Sequence, residues 1–315
     1  MKIIYHLNEF ETIKFLLFFT FTLMTIINII NENEKIKKIK VCLCTNGKLE
    51  NLYVREYVQH YINLGVDKIF IYDNNEKKGE KFEDKLMDYI NSGLVEIIDY
   101  RGLIAPQAQA YKDCYKKNYK KYNWLIFFDM DEYIFLRNYK NIKNYLKKKK
   151  FNKCQRIQLN WIFHTDNNLL NYDNRTLSER FPEREKKARG KKTGKNQGIK
   201  SILRGNILTK VYDVHILNQN LTGCDGFGNI RSIKGISTDI SDFKYHYIDH
   251  YYSKSTEEFI TKLKRGSAVH GFDLTHILKR IDVYFSINEI TKKKLDYIEK
   301  KTNLNLSKFR TQKNL

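Results

Sequence analysis

A chain of 315 residues with 42% hydrophobic and 14% aromatic residues has the composition of a folded globular protein, large enough for one α/β domain or two small ones. Fifty-seven basic against 36 acidic residues leave a net charge of +21, which favours phosphate-bearing substrates or an anionic membrane; no helix-turn-helix, RNP-type or zinc signature accompanies it, so nucleic acid is excluded. Five cysteines (Cys42, Cys44, Cys114, Cys154 and Cys224) contain no Cys-x-x-Cys pair; they exclude a structural zinc site and are too few and too scattered for a disulfide framework.

Residues 15–30 form an uncharged 16-residue run, FLLFFTFTLMTIINII. The run is shorter than the roughly 20 residues that span a hydrocarbon core, but Lys14 can snorkel. Asn31, Glu32 and Asn33 follow it instead of the small residues of a cleavage site, so residues 1–36 read as a single-pass signal anchor. Lys35, Lys37, Lys38 and Lys40 outnumber Lys2 and Lys14, which by the positive-inside rule puts the bulk of the chain on the cytoplasmic side. Sequons at Asn174, Asn220 and Asn305 suit the opposite side, and the sequence leaves the side open.

Beyond the anchor, strands alternate with helices. Short apolar runs at 40–45, 68–72, 94–99 and 124–128 read as strands, and residues 51–64, 82–90 and 107–122 as helices between them, with Gly65 and Gly93 at helix ends. Such alternation predicts βαβ crossovers and a doubly wound, mostly parallel sheet. WLIFF at 124–128 lacks polar alternation, as a central strand covered on both faces should. Further strands are expected at 155–163, 200–208 and 211–217, a loop at 183–199, and helices at 255–266 and from 273 onwards. One domain then spans residues 37–285, and 286–315 form a helical tail. Eight basic residues in 183–200 and seven lysines in 140–153 read as solvated faces.

Ligands bind doubly wound sheets at the carboxyl ends of the strands. Three polar clusters fall there: Thr45-Asn46, Asp73-Asn74 and Asp129-Met130-Asp131-Glu132. Asp129 and Asp131, two residues apart at a strand end, project to one side and offer oxygen ligands to a hard cation, Mn²⁺ or Mg²⁺. Haloacid-dehalogenase phosphatases also place Asp-x-Asp after an apolar strand, but on the first strand and with Thr or Val two positions later. Here the motif follows the fourth strand, and Tyr133 fills that place.

Three blocks in order, YVREYVQHYINLGVDKIFIYDNN at 53–75, a stretch at 109–136 ending in WLIFFDMDEYIFL, and HYYSKSTEEFITKLKRG at 250–266, resemble glycosyltransferase family 92 and the related family-2-like enzymes. The resemblance covers residues from about 40 to 266 with a diverged middle, and Tyr133 replaces the usual Phe. It implies a GT-A fold and metal-dependent, inverting transfer of a sugar from a UDP-sugar to a glycan, glycoconjugate or other hydroxyl acceptor. Galactosyl transfer is known in the family, though the acceptor does not carry over. By the same resemblance Asp73 contacts the donor's base or ribose, as Thr45 and Asn46 could, and His250, with His246 as competitor, completes the metal shell. Lys254, Lys200 and Arg204 would meet donor phosphates or acceptor, and Trp161 would line the acceptor site. Asp225 and Asp166 are the candidate general bases. From another class, a membrane-associated polyanion-binding protein without catalysis would use the same positive charge.

Overall fold

The computed structural model of the chain describes residues 9–185, 198–207, 215, 220–231, 246–266 and 273–310. The long helix α1 (Glu9–Lys38) leads into β1 (Val41–Gly47), α2 (Val54–Asn63), β2 (Lys68–Asp73), α3 (Glu83–Asn91), β3 (Val95–Asp99), α4 (Gln107–Asn118) and β4 (Trp124–Phe127). The four strands pair in the order β3-β2-β1-β4, all parallel, as the strand–helix alternation predicts. Period-two alternation explains how helices come to cover both faces. Val41 and Leu43 of β1 point into one core with Tyr57, Tyr61 and Leu86 of α2 and α3, whereas Cys42 and Cys44 face Ala110, Tyr111 and Tyr115 of α4. Removing each such side chain from water contributes about 1.5–3 kcal/mol before entropy is counted.

The sheet continues through β5 (Glu132–Leu136), β6 (Arg156–Phe163), β7 (Ile199–Arg204), β8 (Gly223–Cys224) and β9 (His246–His250), with a short α5 (Ile142–Leu146) and α6 (Leu177–Arg180) between them. β7 pairs antiparallel with β4 and β6; β9 runs parallel to β6 and antiparallel to β5. Three of these strands, β5, the two-residue β8 and β9, are absent from the sequence expectation. β5 starts directly after the Asp-x-Asp motif and, among the described residues, pairs only with β9, 110 or more residues away; β9 lies in the His- and Tyr-rich block and pairs with β5 and, in parallel, with β6. The expected strand at 211–217 and the loop at 183–199 fall largely outside the described residues.

α7 (Thr256–Lys264), α8 (Leu274–Ile287), α9 (Lys292–Thr302) and α10 (Ser307–Arg310) build a smaller core from Phe259, Leu263, Ile281, Tyr284, Leu295 and Phe309. Asp166 fastens this layer to the body: its buried carboxylate accepts from the Tyr284 hydroxyl at 2.6 Å and pairs with Lys294 at 2.7 Å.

The cysteine expectation is overturned. Cys44 is bonded to Cys114 and Cys154 to Cys224, each pair 70 residues apart, leaving Cys42 free and buried. Local spacing cannot reveal such bridges. The first exists because the crossover lays α4 on the face of β1 that carries Cys44.

Candidate active site

The carboxyl ends of the parallel strands converge on one edge. Gly47 is opposite Asp73, and Asp73 opposite Asp99. Cys44 is opposite Phe127, the last residue of β4, so the chain leaves the sheet at Phe128 and presents Asp129 there. The Glu132 side chain turns back and accepts from the Asp129 backbone N–H at 3.0 Å. β9 brings His250 opposite Glu132, and β7, antiparallel to β4, delivers Lys200 beyond the Ser201–Phe127 pair.

Asp129 is saturated with donors. Gln107 and Tyr111, one turn apart on the buried face of α4, donate to its Oδ1 at 2.6 and 3.0 Å. The Lys200 ammonium, fully buried, lies 2.7 Å from Oδ2 and 3.3 Å from Glu132. Asp131 is divided between two partners: Lys262 of α7 sits 2.7 Å from Oδ2, and His250 Nε2 3.5 Å from Oδ1. The far ring nitrogen of His250, Nδ1, lies 3.8 Å from Glu132 Oε1, and both atoms are buried without a hydrogen bond.

The charges follow from this packing. Burial opposes ionisation of Asp131, but Lys262 and His250 outweigh it and hold the carboxyl well below the usual range. Burial likewise opposes the Asp129 charge; Lys200 prevails over it and over the repulsion from Asp131, so that carboxyl is lowered too. Burial pushes Glu132 up to about 8, with Lys200 opposing and Asp129 and Asp131 reinforcing. Burial lowers His250 despite Asp131, which keeps the imidazole neutral and able to ligate.

A divalent cation fits part of this set. Asp131 Oδ1 and His250 Nε2, 3.5 Å apart, could share Mn²⁺ or Mg²⁺, and among the described residues no third carboxylate, imidazole or thiolate completes the set. Asp129 fits less well, because both its oxygens already accept.

The other sequence candidates divide. Asn46 reaches from β1 to the Tyr72 carbonyl at 2.9 Å, and Thr45 is buried beside it. Asp73 is fully buried, accepting from the Asn75 backbone at 2.9 Å and paired with Arg101 at 2.6 Å. Lys254 adopts a left-handed backbone (φ 52°), uncommon for a side-chain-bearing residue, and its ammonium lies 2.9 Å from Glu50 and 3.4 Å above the Tyr53 ring. Trp161 packs against His250 with ring centroids 5.3 Å apart. His246 is opposite Leu136, at the other end of β9 from Glu132, and packs among Tyr139 and Tyr145.

Besides His246, three candidates are not brought to the cluster. Arg204 lies opposite Trp124, at the amino end of β4, where it caps the carbonyls of Phe151 and Cys154 and stacks 4.2 Å over the Trp124 ring. Asp225 closes its own turn, accepting from Phe227, Asn229 and Arg231. Asp166 belongs to the helical layer. Gln107, Tyr111, Glu50, Lys262 and Arg265, by contrast, escaped the sequence reading. Lys262 is inside the 250–266 block, yet nothing in its spacing tells which way a helical lysine points.

A family model described as Glycosyltransferase family 92 matches residues 37–282. A family 92 protein of Arabidopsis thaliana is 28% identical over 104 residues, 33% of this chain and 18% of its own length. One from Ricinus communis is 28% identical over 100 residues, 31% of this chain and 17% of its own. The matched part of the chain thus spans less than a fifth of those relatives. Among solved structures, S. aureus TarS 1–349 in complex with UDP-GlcNAc aligns with 86% of this chain and 80% of its own, at 13% identity and a TM-score of 0.35.

Proposed function

The chain belongs to glycosyltransferase family 92, and from that premise we propose that it transfers a sugar from a nucleotide-diphosphate donor, a UDP-sugar, to a hydroxyl of a glycan or glycoconjugate. The observation that carries this reading is the meeting of Asp131, His250 and Asp129 at the carboxyl edge of the parallel strands, beside Asp73. Asp131 and His250 would hold the divalent ion. When bound, that ion supplies positive charge against the departing diphosphate. Asp129, fixed by Gln107, Tyr111 and Lys200, is a rigid acceptor for donor hydroxyls rather than a mobile ligand. Asp73 and Asn46 border the nucleoside, and Lys254 supplies a point charge for phosphate. Transfer is read as inverting, with galactose as the first sugar to try. α1, whose residues 12–31 have a mean hydropathy of 2.1 and lie wholly exposed, is long and apolar enough to cross a membrane and is proposed as the single-pass anchor.

The test is release of UDP or GDP from a panel of nucleotide sugars, with and without Mn²⁺. One UDP-sugar should turn over, and Asp131→Asn should lower the rate on the order of a hundredfold or more. Salt-sensitive polyanion binding with no turnover of any donor would overturn the reading.

A further inference from the structure

Lys262 occupies a peculiar position. The capping box of Ser255 and Glu258 fixes the start of α7, and Phe259 and Leu263 turn into the helical core. Lys262 is thereby left on the side facing Asp131. Its ammonium donates to Asp131 Oδ2 at 2.7 Å and to the Tyr252 carbonyl at 3.1 Å, and lies 4.0 Å from the Tyr252 ring centre. A divalent ion held by Asp131 and His250 would set two further positive charges beside this buried ammonium, a strongly repulsive arrangement where water is scarce. A cavity of about 50 Å³ adjoins it, lined by Lys262 together with Glu50, Tyr53, Lys254 and Arg265. Lys254 and Arg265 both pair with Glu50 there, and Glu258, held by Arg180, also lines the space. Lys262, released from Asp131, would add to the positive charge on that wall, which suits phosphate oxygens.

We propose that Lys262 is an exchangeable counter-ion of Asp131, which gives up the carboxylate when a divalent cation binds and turns, with Lys254 and Arg265, toward the donor's diphosphate. The proposal rests on the reading of Asp131 and His250 as cation ligands. It makes Lys262 a competitor of the bare metal and a partner of the nucleotide, so metal and nucleotide bind cooperatively.

Titration of the full chain with Mn²⁺ alone, followed by electron paramagnetic resonance, reads the competition directly; UDP is then titrated at saturating Mn²⁺. Lys262→Met should bind Mn²⁺ about tenfold more tightly than the wild type and UDP about tenfold more weakly, within the usual range of coupling. Lys262→Arg, which keeps the charge, should hold the weak wild-type affinity for Mn²⁺. Equal or weaker Mn²⁺ binding by a folded Lys262→Met variant overturns the proposal while leaving the metal site standing, as does tenfold tightening in Lys262→Arg. Failure of both wild type and Lys262→Met to bind Mn²⁺ removes the metal reading itself, and the proposal with it.

Discussion

At the scale of single residues, the site is a set of buried charges each held by a named partner, and isolated titratable groups elsewhere show what burial without such a partner does. His60 of α2 is wedged between Tyr61 and Tyr133, with ring centroids 4.9 and 5.1 Å away, and burial pushes it down to about 4. Unfolded, it titrates near 6.5. Between those values the unfolded chain binds the extra proton, so this group's contribution is present above pH 6.5 and is lost as pH falls toward 4. Denaturant titrations across that window should show stability dropping with acid, and His60→Gln should flatten the slope by up to about 1.4 kcal/mol per pH unit. An unchanged slope in the variant would show that the imidazole stays solvated. Residue identities at the site were legible where a strand end exposed them. Asp129, Asp131 and His250 stand in quotable motifs, but Gln107, Glu50 and Lys262 matter through the direction of a helix face or loop, which a linear pattern does not encode.

At the scale of elements, α4 does two jobs from one face. Gln107 and Tyr111 fix Asp129, and Cys114, one turn further, bonds to Cys44 of β1. Closing a loop of this length stabilises a fold by about 4 kcal/mol in the chain-entropy account, with about 2–4 kcal/mol typical in practice. Cys114→Ala should therefore lower the urea midpoint, and dithiothreitol, which also opens Cys154–Cys224, should lower that of the wild type by at least as much. A midpoint indifferent to reductant would show that packing of Ala110, Tyr111 and Tyr115 alone seats the helix. The parallel half of the sheet was readable because each apolar run but the last is followed by its own covering helix. The bridges were not, since their halves lie 70 residues apart. β5 and β9 escaped for the same reason: a strand that pairs only across a long separation carries no local turn signal.

At the scale of the whole molecule, a parallel four-strand half and a mixed extension meet along the antiparallel pair β4 and β7, and the candidate site lies at that junction. β4 leads into Asp129, β7 brings Lys200, β9 brings His250, and α7 adds Lys262. Around the site four cations, Lys200, Lys254, Lys262 and Arg265, are paired with four carboxylates, Asp129, Glu132, Glu50 and Asp131, so the excess positive charge of the chain lies elsewhere and the site itself is close to neutral before a ligand arrives. Calorimetric titration of UDP into the full chain, with Mn²⁺ and with EDTA, tests this most directly. The account predicts binding that requires Mn²⁺ and is lost in Asp131→Asn. UDP binding that is absent under both conditions, or indifferent to Mn²⁺ and to Asp131→Asn, would contradict it.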